Sequence, residues 1–222
     1  HRAGAEQRVD ARAADPLFRP MCDRAWRASE RRRLAPRLGG DPGDRFLLTV
    51  GTLEPRKNLV CLLDALALLR DRGRRLTLVV AGREGWLYEP IYERVERLRL
   101  GSQVRFLRDA DDPDLLALYN LAGVMVFPSL YEGFGVPPLE ALACGAVVVC
   151  SSASSLPDVV GDAALLVDPH DPIALARAIE RALDDEQLRD DLSKRGPAQA
   201  GRYNWESAAR SVLATLREAA TC

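Results

Sequence analysis

Two loops hold the residue types from which a phosphate and polyol site can be built. The first, Gly51-Thr52-Leu53-Glu54-Pro55-Arg56-Lys57-Asn58, sets two cations where an apolar helical pattern begins. Helix N-termini carry partial positive charge and favour Asp or Glu, so Arg56 and Lys57 cost stability there unless an anion sits with them. Together with free main-chain N–H groups they would hold a phosphate. A solvated pair of surface cations is the other reading of the same residues.

The second loop reads Ser129-Leu130-Tyr131-Glu132-Gly133-Phe134-Gly135-Val136-Pro137-Pro138-Leu139-Glu140. Gly133 and Gly135 let the backbone approach a ligand closely. Pro138 suits the first turn of a helix, whose amides, with those of Gly135 and Val136, could meet a second phosphate. Neither a Walker loop nor a full G-x-G-x-x-G is present, and a bare G-x-G says little. Glu140 is expected within the first helical turn, where a carboxylate often serves only the helix dipole. Its apolar company, Leu139, Ala141, Leu142 and Ala143, argues that this acid needs a partner, and with Glu132 facing the same crevice, sugar or ribose hydroxyls would serve. A third loop, Ser151 to Asp158, is rich in small hydroxyls that suit a phosphate rim or any surface turn.

These loops need elements to carry them. Short β-branched runs alternate with longer helical stretches, the pattern of an α/β doubly wound parallel sheet of about six strands. The strands are expected at Phe46–Val50, Leu76–Ala81, Val104–Leu107, Val124–Phe127, Val147–Cys150 and Ala164–Val167. Helical spacing marks Leu59 to Leu69 and Leu87, Ile91, Val95 and Leu98. Shorter helices are read at Leu115 to Tyr119 and Leu139 to Ala143, helix again from Pro172 with a break at Asp184-Asp185, and a last helix over Trp205 to Glu218. Ligands of such sheets bind beyond the carboxyl ends of the strands, where the loops above lie.

Composition narrows the classes. With 31 Lys+Arg against 32 Asp+Glu and a net charge of −1, the chain lacks the footprint of a nucleic-acid binder. No apolar run reaches the length of a membrane span, and the Arg-rich start has no apolar signal-peptide core. Five cysteines without C-x-x-C spacing point to reduced thiols and a cytoplasmic protein. Two histidines, one of them terminal, exclude a His-based dyad or metal cluster. Residues 1–38 carry ten Arg against five acids, leaving the remainder at −6. This basic arm would be a solvated helix or linker, or a weak peripheral contact with an anionic membrane. Gly39-Gly40-Asp41-Pro42-Gly43 sets the boundary between a basic interdomain connector, 1–40, and one domain, 41–222.

In this order the residues resemble the retaining GT-B glycosyltransferases of family 4, whose donor-binding domain carries an E-x7-E motif, here Glu132 to Glu140. The resemblance covers roughly Arg45 to Glu218 and includes Val50 to Asn58, Ala81-Gly82, Val104 to Leu107, Phe127-Pro128-Ser129, Ala143-Cys144-Gly145 and Leu156 to Asp162. Ala146 and Asp158 depart from the family's usual Pro and Glu. The resemblance implies a Rossmann-like C-terminal half of a GT-B fold that binds a UDP- or GDP-linked sugar, needs neither cofactor nor metal ion, and transfers the sugar with retention to an unknown acceptor. It implies that Arg56 and Lys57 bind the diphosphate at the loop opened by Gly51, and that the amides of Gly135 and Val136, in the Gly133-Phe134-Gly135 turn, assist. Glu132 would contact the transferred sugar and Glu140 the ribose, while the backbone from Arg105 to Leu107 would border the base. It further implies a missing N-terminal Rossmann-like domain with the acceptor site, to which Val9-Asp10 and Phe18-Arg19-Pro20 would connect. An isolated nucleotide-sugar binding module and a GT-B epimerase or phosphorylase are the alternatives. Two carboxylates alone would also suit a glycosidase, but Arg56 and Lys57 imply a phosphorylated ligand.

Overall fold

The computed structural model describes residues 18–43 and 45–220. Six strands form one sheet: β1 (Leu47–Val50), β2 (Leu78–Ala81), β3 (Val104–Leu107), β4 (Val124–Phe127), β5 (Val148–Ser151) and β6 (Leu165–Val167). All neighbours are parallel, in the order β3-β2-β1-β4-β5-β6. Every strand lies within two residues of its expected span. The reason is physical: β1, β2, β4 and β5 are buried along their whole length, so each reads as a mainly apolar run, broken only by Thr49 in β1 and by Ser151 at the end of β5.

The helices are α1 (Arg24–Leu34), α2 (Leu59–Asp71), α3 (Glu89–Arg97), α4 (Asp112–Leu121), α5 (Val136–Ala143), α6 (Leu156–Val160), α7 (Pro172–Asp184), α8 (Glu186–Ala200) and α9 (Trp205–Ala220). One face of the sheet buries Tyr119, Leu139, Leu142 and Val159 of α4, α5 and α6 against Met125 and Phe127. The other buries Leu62, Leu66, Ile91 and Ile179 of α2, α3 and α7 against Val80 and Val126. Successive crossovers move outward from β1 on one side and from β4 on the other, so the winding reverses between these two strands. The loops after Val50 and Phe127 lead to opposite faces of the sheet there, the position at which such sheets bind their ligands.

Two local readings are corrected. The repeat beginning at Leu87 predicts helix from that residue, yet α3 starts at Glu89 because Pro90 fits only a first turn. Leu87 stays outside, exposed and left-handed at φ 49°. Glu140 is the fifth residue of α5, not a first-turn residue, because the helix begins directly after its cap, Gly135, at φ 113°.

The described part of the basic arm is docked on the domain. Phe18, Leu34 and Leu38 enter the core beside α4. Arg33 and Arg37 each place a guanidinium nitrogen 2.5 Å from a different oxygen of Asp114, a fully buried carboxylate in the first turn of α4. Val9-Asp10 lies outside the described residues. Among the described residues no helix is long and apolar enough to cross a membrane.

Candidate functional site

The loop after β1 ends in a single turn of 3-10 helix, Pro55–Lys57, and Asn58 then caps α2 in the left-handed region at φ 55°. A polar residue tolerates that conformation, and the Asn58 side chain uses it to donate to two other loops, to the Pro128 carbonyl at 3.0 Å and the Pro169 carbonyl at 2.7 Å. Leu130 N–H also donates to the Arg56 carbonyl at 2.8 Å. The cations of one loop are thereby locked to the loop after β4.

That lock brings Arg56, Lys57 and Glu132 together where the winding of the sheet reverses. Lys57 Nζ donates to Glu132 Oε1 and Arg56 Nη1 to Glu132 Oε2, both at 2.7 Å. Arg56 Nε lies 2.7 Å from Glu54 Oε1. Two cations and two carboxylates close the charge of this cluster to zero. The negative charge that the helix start demands is therefore supplied by Glu54 and Glu132. Lys57 also sits over the Phe127 ring, 4.9 Å from its centre, where the ring face favours a cation. The Ser129 hydroxyl lines the same small cavity as Gly51, Lys57 and Phe127, and is buried with no hydrogen-bond partner among the described residues.

Glycine is required twice beneath the cluster. A Cβ on Gly51, at φ 143°, would stand 3.2 Å from Lys57 Cε, and one on Gly82 would stand 2.0 Å from the Gly51 carbonyl oxygen. The ends of β1 and β2 thus approach too closely for any side chain. Gly135 is required by its φ of 113°, and its Cβ would also lie 2.7 Å from the tip of the Leu156 side chain of α6. Gly133 has open space around it. Gly135 and Val136 open α5 with no side-chain cap bond.

The remaining expected residues lie apart from this cluster. Glu140 is 3% exposed, and its Oε2 accepts from the Tyr119 hydroxyl at 2.9 Å. Leu107 is core at the end of β3, with its carbonyl taken by Gly82 N–H at 2.9 Å. The Arg105 side chain turns to the Gly101 and Val104 carbonyls at 3.3 and 3.5 Å, toward the start of its strand. β3 is separated from β1 by β2.

Sequence reasoning missed four supports. Ser154 Oγ accepts from Glu132 N–H at 3.0 Å, and Ser155 Oγ donates to the carbonyls of Glu132 and Phe134 at 3.0 and 2.9 Å. Tyr119 holds Glu140, and Glu54 holds Arg56. The serine-rich loop was the one visible signal, and it serves as a clamp on the Glu132 turn.

Residues 30–199 match the family model of glycosyl transferases group 1. The chain belongs to this family. As a group 1 glycosyltransferase sequence it is 43% identical over 169 residues to O-antigen chain mannosyltransferase B of Escherichia coli, covering 76% of this chain and 44% of that protein. It is similar in fold to sucrose-phosphate synthase from Thermosynechococcus elongatus, with TM-score 0.76, 30% identity, and coverage of 92% of this chain and 50% of the other. It also matches the C-terminal domain of a glycosyl transferase group 1 family protein (LpcC) from Francisella tularensis, with TM-score 0.69 and 21% identity over 85% of this chain and 97% of that one. This glycosyltransferase chain thus spans about half the length of the sucrose-phosphate synthase and 44% of the mannosyltransferase.

Proposed function

We propose that the chain is the donor-binding half of a retaining family 4 glycosyltransferase, which takes a sugar linked to UDP or GDP. The single observation that supports this is the Arg56–Lys57 pair, gathered on Glu132 at the reversal of the sheet. A diphosphate placed there would meet a guanidinium, an ammonium and the uncapped start of α5. These fixed positive groups act where charge develops on the departing diphosphate, so the main catalytic device is electrostatic and draws on protein cations.

In this reading Glu132 has two tasks. It holds both cations in place before the donor arrives, and it presents a carboxylate toward the sugar carbon that is released. Glu140 takes the ribose hydroxyls, with Tyr119 orienting its carboxylate. The acceptor's main site lies in an N-terminal Rossmann-like domain of a longer polypeptide, reached through the segment around Phe18-Arg19-Pro20.

Calorimetric titration of the chain with UDP, GDP and their sugars tests the donor assignment. Binding by one nucleotide series, weakened in Lys57→Met, is expected. No binding by either series would overturn it. Retention is read from the anomeric configuration of the product made by the two-domain polypeptide.

A further inference from the structure

Two large exposed aromatic residues beside the Arg56 cluster are left unused by the donor reading. Trp86, in the loop from β2 to α3, is 58% exposed, and Tyr131, in the loop after β4, is 61% exposed. Trp86 reaches Arg56 through Glu54, and Tyr131 touches Arg56 directly through its main chain. The Trp86 indole N–H donates to Glu54 Oε2 at 3.0 Å, and the other oxygen of Glu54 pairs with Arg56 Nε at 2.7 Å. The Tyr131 carbonyl accepts from Arg56 Nη1 at 3.3 Å.

The Trp86 loop is built rather than loose. Leu53 and Glu84 form a parallel bridge, Gly85 N–H donates to the Leu53 carbonyl at 3.0 Å, and the Tyr92 hydroxyl donates to Glu84 at 2.7 Å. A Cβ on Gly85 would lie 2.6 Å from Thr52 Cγ2, so the loop is pressed against the β1 loop. Leu87, left-handed in the next position, fixes the exit of the chain. An indole whose polar edge is tethered while its ring body stays exposed holds an apolar face in a fixed place, where a ligand ring can stack.

Position selects the ligand. The loop of Trp86 leads to the sheet face covered by α2, α3 and α7, whereas Glu140 lies in α5 on the opposite face. With the diphosphate on Arg56 and Lys57 and the ribose on Glu140, Trp86 stands on the side of the cations away from the nucleoside. A pyranose ring has an apolar face of C–H groups rimmed by hydroxyls, which matches an indole face beside charged side chains. We propose that Trp86 and Tyr131 form an aromatic rim that receives the ring of the acceptor sugar, so that this domain contributes directly to acceptor binding. The inference rests on the donor reading of Arg56, Lys57 and Glu140.

Nuclear magnetic resonance of the 222-residue chain tests it, because the chain has only three tryptophans and the Trp86 indole N–H signal is assigned by its loss in Trp86→Phe. The chain is titrated with methyl glycosides and short oligosaccharides, with and without saturating UDP or GDP. At least one glycoside should shift the Trp86 signal in the nucleotide-bound chain while the Trp26 signal stays still. Trp86→Ala and Tyr131→Ala should each weaken that glycoside about three- to tenfold, followed by ligand-observed signals, whereas Trp86→Phe should stay near the parent value. Nucleotide affinity should hold in all three variants. A Trp86 signal moved by the nucleotide and by no glycoside would overturn the proposal and give the ring to the base. No response to any glycoside would overturn it as well. Failure of every nucleotide to bind, with glycoside shifts intact, would instead sink the donor reading.

Discussion

Lys57 Nζ lies 2.7 Å from Glu132 Oε1 across 75 residues of sequence, and both side chains are about nine-tenths buried. An ion pair so placed is held by its other partners, the Phe127 ring beneath the ammonium and Arg56 on the second carboxylate oxygen. Removing one member leaves charge without compensation, which typically costs about 3–5 kcal/mol for a buried pair.

Glu132→Gln should therefore lower the unfolding free energy by about 3 kcal/mol, read from urea melts. It also releases two cations, so pyrophosphate or a nucleoside diphosphate should raise the melting temperature more in this variant than in the parent. Equal ligand-induced shifts would show that Glu132 does not compete with phosphate for Arg56 and Lys57.

At Glu140, replacement by Ala should weaken UDP or GDP binding by about tenfold or more, since a charge-assisted hydrogen bond is worth about 1.5–3 kcal/mol. Tyr119→Phe removes the 2.9 Å bond to Glu140 and should weaken binding less. Unchanged affinity in Glu140→Ala by calorimetry would count against the ribose assignment.

Gly82→Ala puts a methyl group 2.0 Å from the Gly51 carbonyl, a collision between two strand ends that cannot be relieved by a side-chain rotation. The variant should lose about 4 kcal/mol or more, or fail to fold. Gly133→Ala, with nothing within 4 Å of its Cβ, serves as the control and should melt close to the parent.

Burial opposes the charge on Asp114, but hydrogen bonds from Arg33, Arg37 and the Asp111 backbone outweigh it and hold the carboxyl below its ordinary value of 3.8. Because the folded value is the lower one, this stabilisation is present above about pH 4. It is lost as acid titrates the group in the folded state. Asp114→Asn should flatten that acid limb of the stability curve, and proteolysis should then detach α1 from the domain more readily.

Cys144 and Cys150 are pushed up to about 12, and Cys61 to about 11, chiefly by burial. At pH 8 iodoacetamide should label exposed Cys22 in the native chain and reach these three only after unfolding, as peptide mass spectrometry would show.

The strands and most helices could be read in advance because each is a local pattern, apolar runs for buried strands and a 3.6-residue repeat for helices. Leu87 misled because an apolar residue at helical spacing is indistinguishable from a helical one until Pro90 sets the start. The Arg-rich arm is a largely solvated helix, as its charge reads, but Arg33 and Arg37 also find Asp114 about 80 residues away, and no local pattern encodes that pairing.

For the site, residue types and spacing determined by themselves that two cations stand before a helix and that two acids, eight residues apart, flank a glycine turn. They also determined the parallel sheet that places both loops at one end. Only the tertiary structure decided which groups meet: Glu132 with both cations, Glu140 with Tyr119, and Ser154 and Ser155 clamped on the Glu132 turn. Spacing along a chain specifies which face of an element a residue occupies, whereas contact between loops depends on how sheet twist, glycine approach and helix starts set them in space.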